Sequence, residues 1–273
     1  MAGPSQDEAH ESNPGSRVLS VYDALMSAGS RGDGKHLLLK VWSRAFDVHD
    51  ASDAEDRVVA LLQALRTEIA LVRAMAAKEG MHDQLIDPGL GPLLGATTTT
   101  VLSIPWGNQV GNLGPPHVRL SLAMCAWALR GAGETSMAAT ELGAIQTQLN
   151  ELEQLMVDVE LEPFVRDFVE RQVRAIRHAL SLYRVNGLTS VKQAMRTVVG
   201  DVATSHVELQ ATAEKASEKS KSLLGKAAQL VKRTAEVCDH LSKIKKTGQE
   251  VYELSQHVSP FVTPLLAYAA TKI

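Results

Sequence analysis

Three short stretches contain residue types that could bind or transform a ligand. The first, Gly29-x-x-x-x-Gly34-Lys35, matches the first seven positions of a phosphate-binding loop. Such a loop needs a Ser or Thr after the lysine to hold magnesium, but His36 follows here. The preceding segment is also predicted to be a helix rather than a strand. We therefore interpret this stretch as a glycine-rich connection between two helices.

The second stretch is an acidic segment over residues 47–56 with one histidine. Its oxygen ligands could hold a divalent cation, although the spacing does not follow a calcium loop. Carboxylates at the start of a helix are also stabilised by the helix dipole. The acidic start of a helix is therefore the interpretation we adopt for His49, Asp50, Asp53, Glu55 and Asp56.

The third stretch contains Glu236, Cys238, Asp239 and His240, which resemble a catalytic or metal-binding cluster in one-letter code. On a helix, Glu236 and His240 share a face, whereas Cys238 is rotated by about 200° from Glu236. One local segment therefore cannot bring these groups together. We expect Cys238 to be a buried structural thiol on the side of Leu230 and Val237.

Residues 81–115 contain six glycines and four prolines, yet they also contain Leu, Ile and Trp. This composition predicts an ordered, irregular excursion, with one or two short strands within residues 97–104. Long loops often carry function. If the chain is an enzyme, this excursion is where we expect its site, near His82, Asp83, Trp106 and Asn108. No metalloprotease, zinc, nucleophile-elbow or dinucleotide motif is present, so we predict no catalytic residues, cofactor or metal.

Charge is the remaining chemical signal. Residues 214–246 contain nine Lys or Arg against four Asp or Glu, a net charge of +5. Lys219, Lys226 and Arg233 lie seven residues apart, with His240 next, along one side of a predicted helix. This side could face an anionic partner or membrane, or it could be a solvated face paired with the acidic segment 47–56.

The C-terminal run 258–270 is apolar and interrupted by Pro260 and Pro264, so it is too short and broken to span a membrane as one helix. It could instead pack on the bundle or enter a membrane interface. Its Phe261 and Leu265, together with the helix residues Leu223 and Leu230, complete the predicted contact set. Membrane contact would require the helix to leave the bundle.

The element that must position these groups is a predicted helix from Val202 to Val251. Apolar and small residues recur in steps of four and three without interruption, as in the seam of a coiled coil. Similar steps predict further helices over residues 17–28, 35–46, 52–78, 117–130, 136–160, 163–186 and 190–200. The helix over 117–130 has apolar residues in almost every direction, which predicts a central position.

Composition agrees with this pattern. The chain has 273 residues and a net charge near −3, and aromatic residues make up 4%. Scarce aromatics favour helices over sheets, and the near-neutral charge gives no bias towards nucleic acid. Two cysteines fit a reducing compartment. We predict a disordered tail over 1–16, a helical bundle over 17–201 with the excursion 81–115, and a seam helix with an apolar segment over 202–273.

The sequence therefore predicts an all-α, multi-helix bundle with a long C-terminal helix and one irregular Gly/Pro-rich excursion. Its predicted function is non-enzymatic interaction or assembly, through helices, with a protein partner or a second copy. The alternative is a membrane-associating effector, pore-forming or membrane-disrupting, that uses the basic helix and the apolar segment. The predicted location is cytoplasmic, with peripheral membrane association under the alternative.

Overall fold

A computed structural model describes residues 11–31, 34–48, 52–158 and 161–243. The fold is all-α and multi-helical, as predicted. The described chain divides into two compact units. The N-terminal unit contains residues 11–133, with which residues 184–187 also group, and the C-terminal unit contains residues 134–183 and 188–243. This boundary differs from the predicted one at residue 201, because helices from residue 134 onwards share one core with the C-terminal helices.

Six α-helices form the N-terminal unit within its described residues. They are α1 (Pro14–Ser30), α2 (Leu38–Ala45), α3 (Ala54–Lys78), α4 (Asp83–Ala96), α5 (Gly107–Leu113) and α6 (Pro116–Ala128). Short 3-10 turns cover Thr99–Val101 and Leu129–Ala132, and the two-residue strand β1 covers Glu11–Ser12. The core contains Leu25, Trp42, Leu65 and Leu90.

The N-terminus of α1 corrects the predicted tail 1–16. Asn13 begins the helix by accepting a hydrogen bond from the Ser16 backbone N–H, while the Ser16 hydroxyl receives one from the Asn13 N–H. This reciprocal cap satisfies donors that would otherwise lack partners, and Pro14 fits the first turn. Residues 11–16 are therefore structured, while residues 1–10 lie outside the described part of the chain.

The segment 81–115 is more helical than its composition led us to expect. α4 forms although Pro88 and Pro92 lie inside it, because Ile86, Leu90 and Leu93 are fully buried along one face. The predicted strands within 97–104 are wrong: a 3-10 turn and bends occupy that region. Tertiary packing thus outweighs the local preference of Gly and Pro.

The C-terminal unit packs α7 (Ala139–Asp158), α8 (Pro163–Asn186), α9 (Leu188–Lys215) and α10 (Glu218–Lys243) around one core. The two-residue strand β2 covers Glu134–Thr135. As predicted, α8 begins at Pro163 and stops at Gly187, whose φ of 57° suits glycine. The predicted continuous helix 202–251 is wrong within the described residues, because Ala216 and Ser217 separate α9 from α10.

Candidate interaction surface

Helix α6 is held in the N-terminal unit through its inward face. Val118, Leu122 and Cys125 are at most 1% exposed, so this face is core. The Ser121 hydroxyl donates to the carbonyl oxygen of Leu85, at 2.5 Å, which fastens α6 to α4. Burial also raises the pKa of the Cys125 thiol, which favours its protonated form.

Helix α1 packs on the flank of α6 that lies away from α4. A Cβ at Gly15 would lie 2.7 Å from the Ala126 Cα, so only glycine permits this close approach of the two backbones. Near the other end of α6, the Arg119 guanidinium donates two hydrogen bonds to the Asp23 carboxylate, at 2.8 and 2.9 Å. These bonds raise the pKa of Arg119, which remains charged. Helices α1 and α4 therefore both pack against α6 and leave one side of it open.

The open side of α6 is apolar. Leu120, Met124 and Trp127 are 62%, 37% and 67% exposed, respectively. Their spacing of four and three residues places them on one line along the helix. We call these three residues the α6 stripe. Leu85 of α4 is itself 43% exposed, and its carbonyl binds Ser121, the neighbour of Leu120. The predicted central position of α6 is therefore wrong: one side is core and the other is solvent-exposed.

Arg130 completes this surface. Its guanidinium lies 3.9 Å from the centroid of the Trp127 ring, and Nη1 donates a 3.0 Å hydrogen bond to the Trp127 carbonyl. A guanidinium over an indole face is a cation–π contact. The two contacts hold both side chains in place although both are exposed, so the end of the stripe has a defined shape.

Burial of the α6 stripe by a partner would release free energy. Complete burial of a large apolar side chain stabilises by about 1.5–3 kcal/mol. Scaled by the exposed fractions, the three side chains together offer roughly 3–5 kcal/mol. Trp, Met and Arg are also residue types enriched at protein interfaces, and Trp and Arg are frequent anchors. The stripe and Arg130 thus have the chemistry of an interface centre.

The predicted basic row on α10 has a different surrounding. Lys219, Lys226 and Arg233 are exposed, but Leu223 and Leu230 are 2% and 0% exposed and belong to the core of the C-terminal unit. These two leucines are therefore absent from the surface of this conformation. Phe261, Leu265 and the His240 side chain lie outside the described residues.

Acidic groups of α7 lie near the basic row. The Lys226 Nζ is 4.0 Å from an oxygen of Glu151. A solvent-open groove of about 560 Å³ is lined by Glu141, Arg233, Glu236 and Val237. Charges of both signs alternate there, which is typical of a solvated helix surface. Carboxylates of α7 thus lie beside the basic row. The sequence had suggested that the acidic segment 47–56 would pair with it.

The phosphate-loop match has a structural explanation. A Cβ at Gly29 would lie 2.2 Å from the indole of Trp106, so glycine at this position makes room for a buried ring. Gly34 adopts a φ of 76°, and its carbonyl accepts a hydrogen bond from the Gly107 N–H. Packing of residues 105–107 therefore accounts for both glycines.

The four residues near which we expected an enzyme site differ in exposure. Trp106 is 4% exposed and packs against Gly29, whereas His82, Asp83 and Asn108 are exposed. His82 precedes the first residue of α4, so its position is that of a helix start. The structure therefore gives Trp106 a packing role and leaves the three polar side chains at the surface.

The other two candidate clusters lie only partly within the described residues. Cys238 is 2% exposed, as predicted, while Glu236 is exposed and lies 3.8 Å from Lys232. Asp53 stands immediately before the first residue of α3, while His49 and Asp50 lie outside the described residues. Among the residues that the structure describes, no group of three His, Cys, Asp or Glu side chains could hold a metal ion.

Comparisons add no functional assignment. No family model, curated protein or solved structure matches the chain. Within the described residues, none of the helices is both long and apolar enough to cross a bilayer.

Proposed function

We propose that the chain is a non-enzymatic, helical interaction protein that binds a macromolecular partner through the α6 stripe. The observation that carries the proposal is the exposure of Leu120 and Trp127, at 62% and 67%, on a helix whose other faces are packed. Three large apolar side chains in line on one helix form a patch, whereas single exposed ones are ordinary.

The free energy available from burial of the α6 stripe determines how much further contact a partner must make. The roughly 3–5 kcal/mol available from the stripe is offset by the loss of translational and rotational freedom on association. A stable complex therefore needs contacts around the stripe as well. The stripe is the apolar centre of the interface, and the ends of α1 and α4 form its rim.

Site-specific photo-crosslinking tests this function. A benzophenone amino acid replaces Leu120 in the full chain, and a matched control carries it at exposed Gln63 of α3. In lysate of the source cells, we expect one discrete crosslinked species from position 120 and none from position 63. Excess wild-type chain should compete with crosslinking, whereas a chain with both Leu120→Ser and Trp127→Ser should not. Equal crosslinking at both positions, or equal competition by both chains, would refute the proposal.

The membrane alternative rests on one observation, the exposed row Lys219, Lys226 and Arg233 on α10. It requires α10 to undock so that Leu223 and Leu230 can reach the bilayer. At low salt, the alternative predicts co-sedimentation of the full chain with phosphatidylcholine vesicles that contain phosphatidylglycerol. Neutral vesicles, or replacement of the three basic residues with Gln, should abolish it. Recovery of the wild-type chain in the supernatant would contradict this alternative.

A further inference from the structure

The α6 stripe has a basic border without a carboxylate of its own. Residues 116–132, which cover α6 and the following 3-10 turn, contain Arg119 and Arg130 but no Asp or Glu. Arg119 lies in the first turn of α6, and Arg130 lies in the 3-10 turn that follows the last residue of α6, where it contacts Trp127. The charge that complements this border is negative.

Arg119 shows how this border binds a carboxylate. Its Nε and Nη2 atoms donate side by side to the two oxygens of Asp23. This forked geometry is the one that guanidinium groups offer to Asp and Glu. The carboxylate comes from α1, the helix that packs on this flank.

Arg130 has the same guanidinium group as Arg119, but no described carboxylate pairs with it. Its one hydrogen bond among the described residues uses Nη1 and the Trp127 carbonyl, and a guanidinium has five N–H donors. The cation–π contact with Trp127 already restricts the side chain. The remaining N–H donors of Arg130 are therefore held beside the Trp127 ring. The Arg130 side chain then loses less conformational entropy when a partner binds.

Resting on the proposed function, we propose that the partner of the α6 stripe is an acidic amphipathic helix. Its apolar residues pack along Leu120, Met124 and Trp127, and an Asp or Glu on its flank binds the guanidinium of Arg130. A ridge along one helix packs into the groove beside the ridges of another, which makes a helix the fitting shape. The stripe runs over eight residues, a rise of about 10 Å, so two helical turns of the partner span it.

Selection from a display library tests this partner chemistry. The library displays helical peptides with a fixed Leu stripe and randomised flanking positions. It is selected on the full wild-type chain and depleted on the chain with Leu120→Ser and Trp127→Ser. We expect the selected peptides to be enriched in Asp or Glu on one flank. Arg130→Gln should weaken their binding about tenfold or more, while the matched control Arg57→Gln on α3 should leave it unchanged.

The possible outcomes distinguish failure of the proposed partner from failure of the proposed function. Peptides that require the stripe but show no acidic enrichment, or that bind Arg130→Gln equally well, overturn the inference and leave the proposed function standing. Failure to select any stripe-dependent peptide overturns both. A tryptophan fluorescence shift that Trp127→Phe removes, and that occurs with protein concentration alone or only with anionic vesicles, identifies a second copy or a membrane as the occupant and also overturns the inference. Melting temperatures of Arg130→Gln and Arg57→Gln should agree, which separates binding from folding.

Discussion

Replacement of Gly29 with Ala should destabilise the N-terminal unit, although alanine is the better helix former. Gly29 is the penultimate residue of α1, where the change would by propensity alone stabilise by about 0.5–1 kcal/mol. The added Cβ, however, would lie 2.2, 2.4 and 2.5 Å from Cε2, Nε1 and Cζ2 of Trp106. Carbon atoms normally approach to about 3.5–4.0 Å, so the ring or the helix must move by more than about 1 Å.

Trp106 cannot withdraw easily from the new methyl group. Its backbone N–H donates to the His36 carbonyl at 2.8 Å, and the Gly107 N–H donates to Gly34 at 2.8 Å. The indole is also buried. Overpacking of this kind costs about 1–3 kcal/mol or more. A contact as close as 2.2 Å places this change at the upper end of that range, about 2–3 kcal/mol, so after subtraction of the propensity gain we expect Gly29→Ala to lower the free energy of unfolding by about 1–2.5 kcal/mol.

Urea denaturation followed by tryptophan fluorescence measures this difference. Trp42, Trp106 and Trp127 all lie in the N-terminal unit, so the signal reports that unit alone. The matched control is Gly95→Ala in α4, where an added Cβ would meet no atom within 4 Å and should stabilise slightly. Gly29→Ala should also cost less in a chain with Trp106→Phe. A Gly29→Ala chain as stable as the wild type would refute the reasoning.

Three further changes test other contacts. Ala227→Leu on α10 should destabilise the C-terminal unit by about 1–3 kcal/mol, because Ala227 is 4% exposed in its core; an unchanged melting temperature would contradict this packing. Tyr22→Phe should cost about 1–2 kcal/mol, since it removes the 2.7 Å hydrogen bond to the Leu113 carbonyl. Burial raises the pKa of Tyr22 above 10, so its contribution should be full below pH 10 and lost as pH rises through the folded-state pKa. Stability measured against pH should therefore fall less at alkaline pH in Tyr22→Phe than in the wild type. Cys125 and Cys238 should react with a thiol reagent only after unfolding, and a fast native reaction would show that their burial is wrong.

Periodicity predicted most helices because each packs one apolar face. The starts and ends were also readable where a residue has a strong local preference, as at Pro163 and Gly187. The break between α9 and α10 was not readable, because the apolar register continues across it. Ser217 accepts a 3.2 Å hydrogen bond from the Ser220 N–H and so begins a new helix. A two-residue interruption of this kind leaves the four–three pattern intact.

Gly and Pro misled the prediction for 81–115 because they act through tertiary contacts there. A Cβ at Gly89 would lie 2.7 Å from the Ser121 hydroxyl oxygen, so this glycine lets α4 and α6 approach closely. A prediction from composition alone treats such a glycine as a helix breaker. The neighbouring helix, which supplies the compensating contacts, is distant in sequence and cannot be inferred locally.

The α6 stripe was missed because an all-round apolar helix has two explanations. We predicted burial on every side, as for a central helix. The other explanation is a surface helix with one apolar face for the core and a second for a partner. The sequence signal that favours the second is Trp127 followed by Arg130 at the end of the helix, since both types are common at interfaces.

The place of α10 in the chain has a consequence for synthesis on the ribosome. Helix α10 supplies Leu223, Leu230 and Val231 to the same core as Ile145 and Leu149 of α7. The apolar face of α7 therefore emerges about eighty residues before the last helix of its core, a delay of several seconds at ordinary rates of translation. A fragment that ends between α9 and α10 lacks the apolar side chains of α10, so part of this core stays exposed and premature termination there should yield an aggregation-prone product.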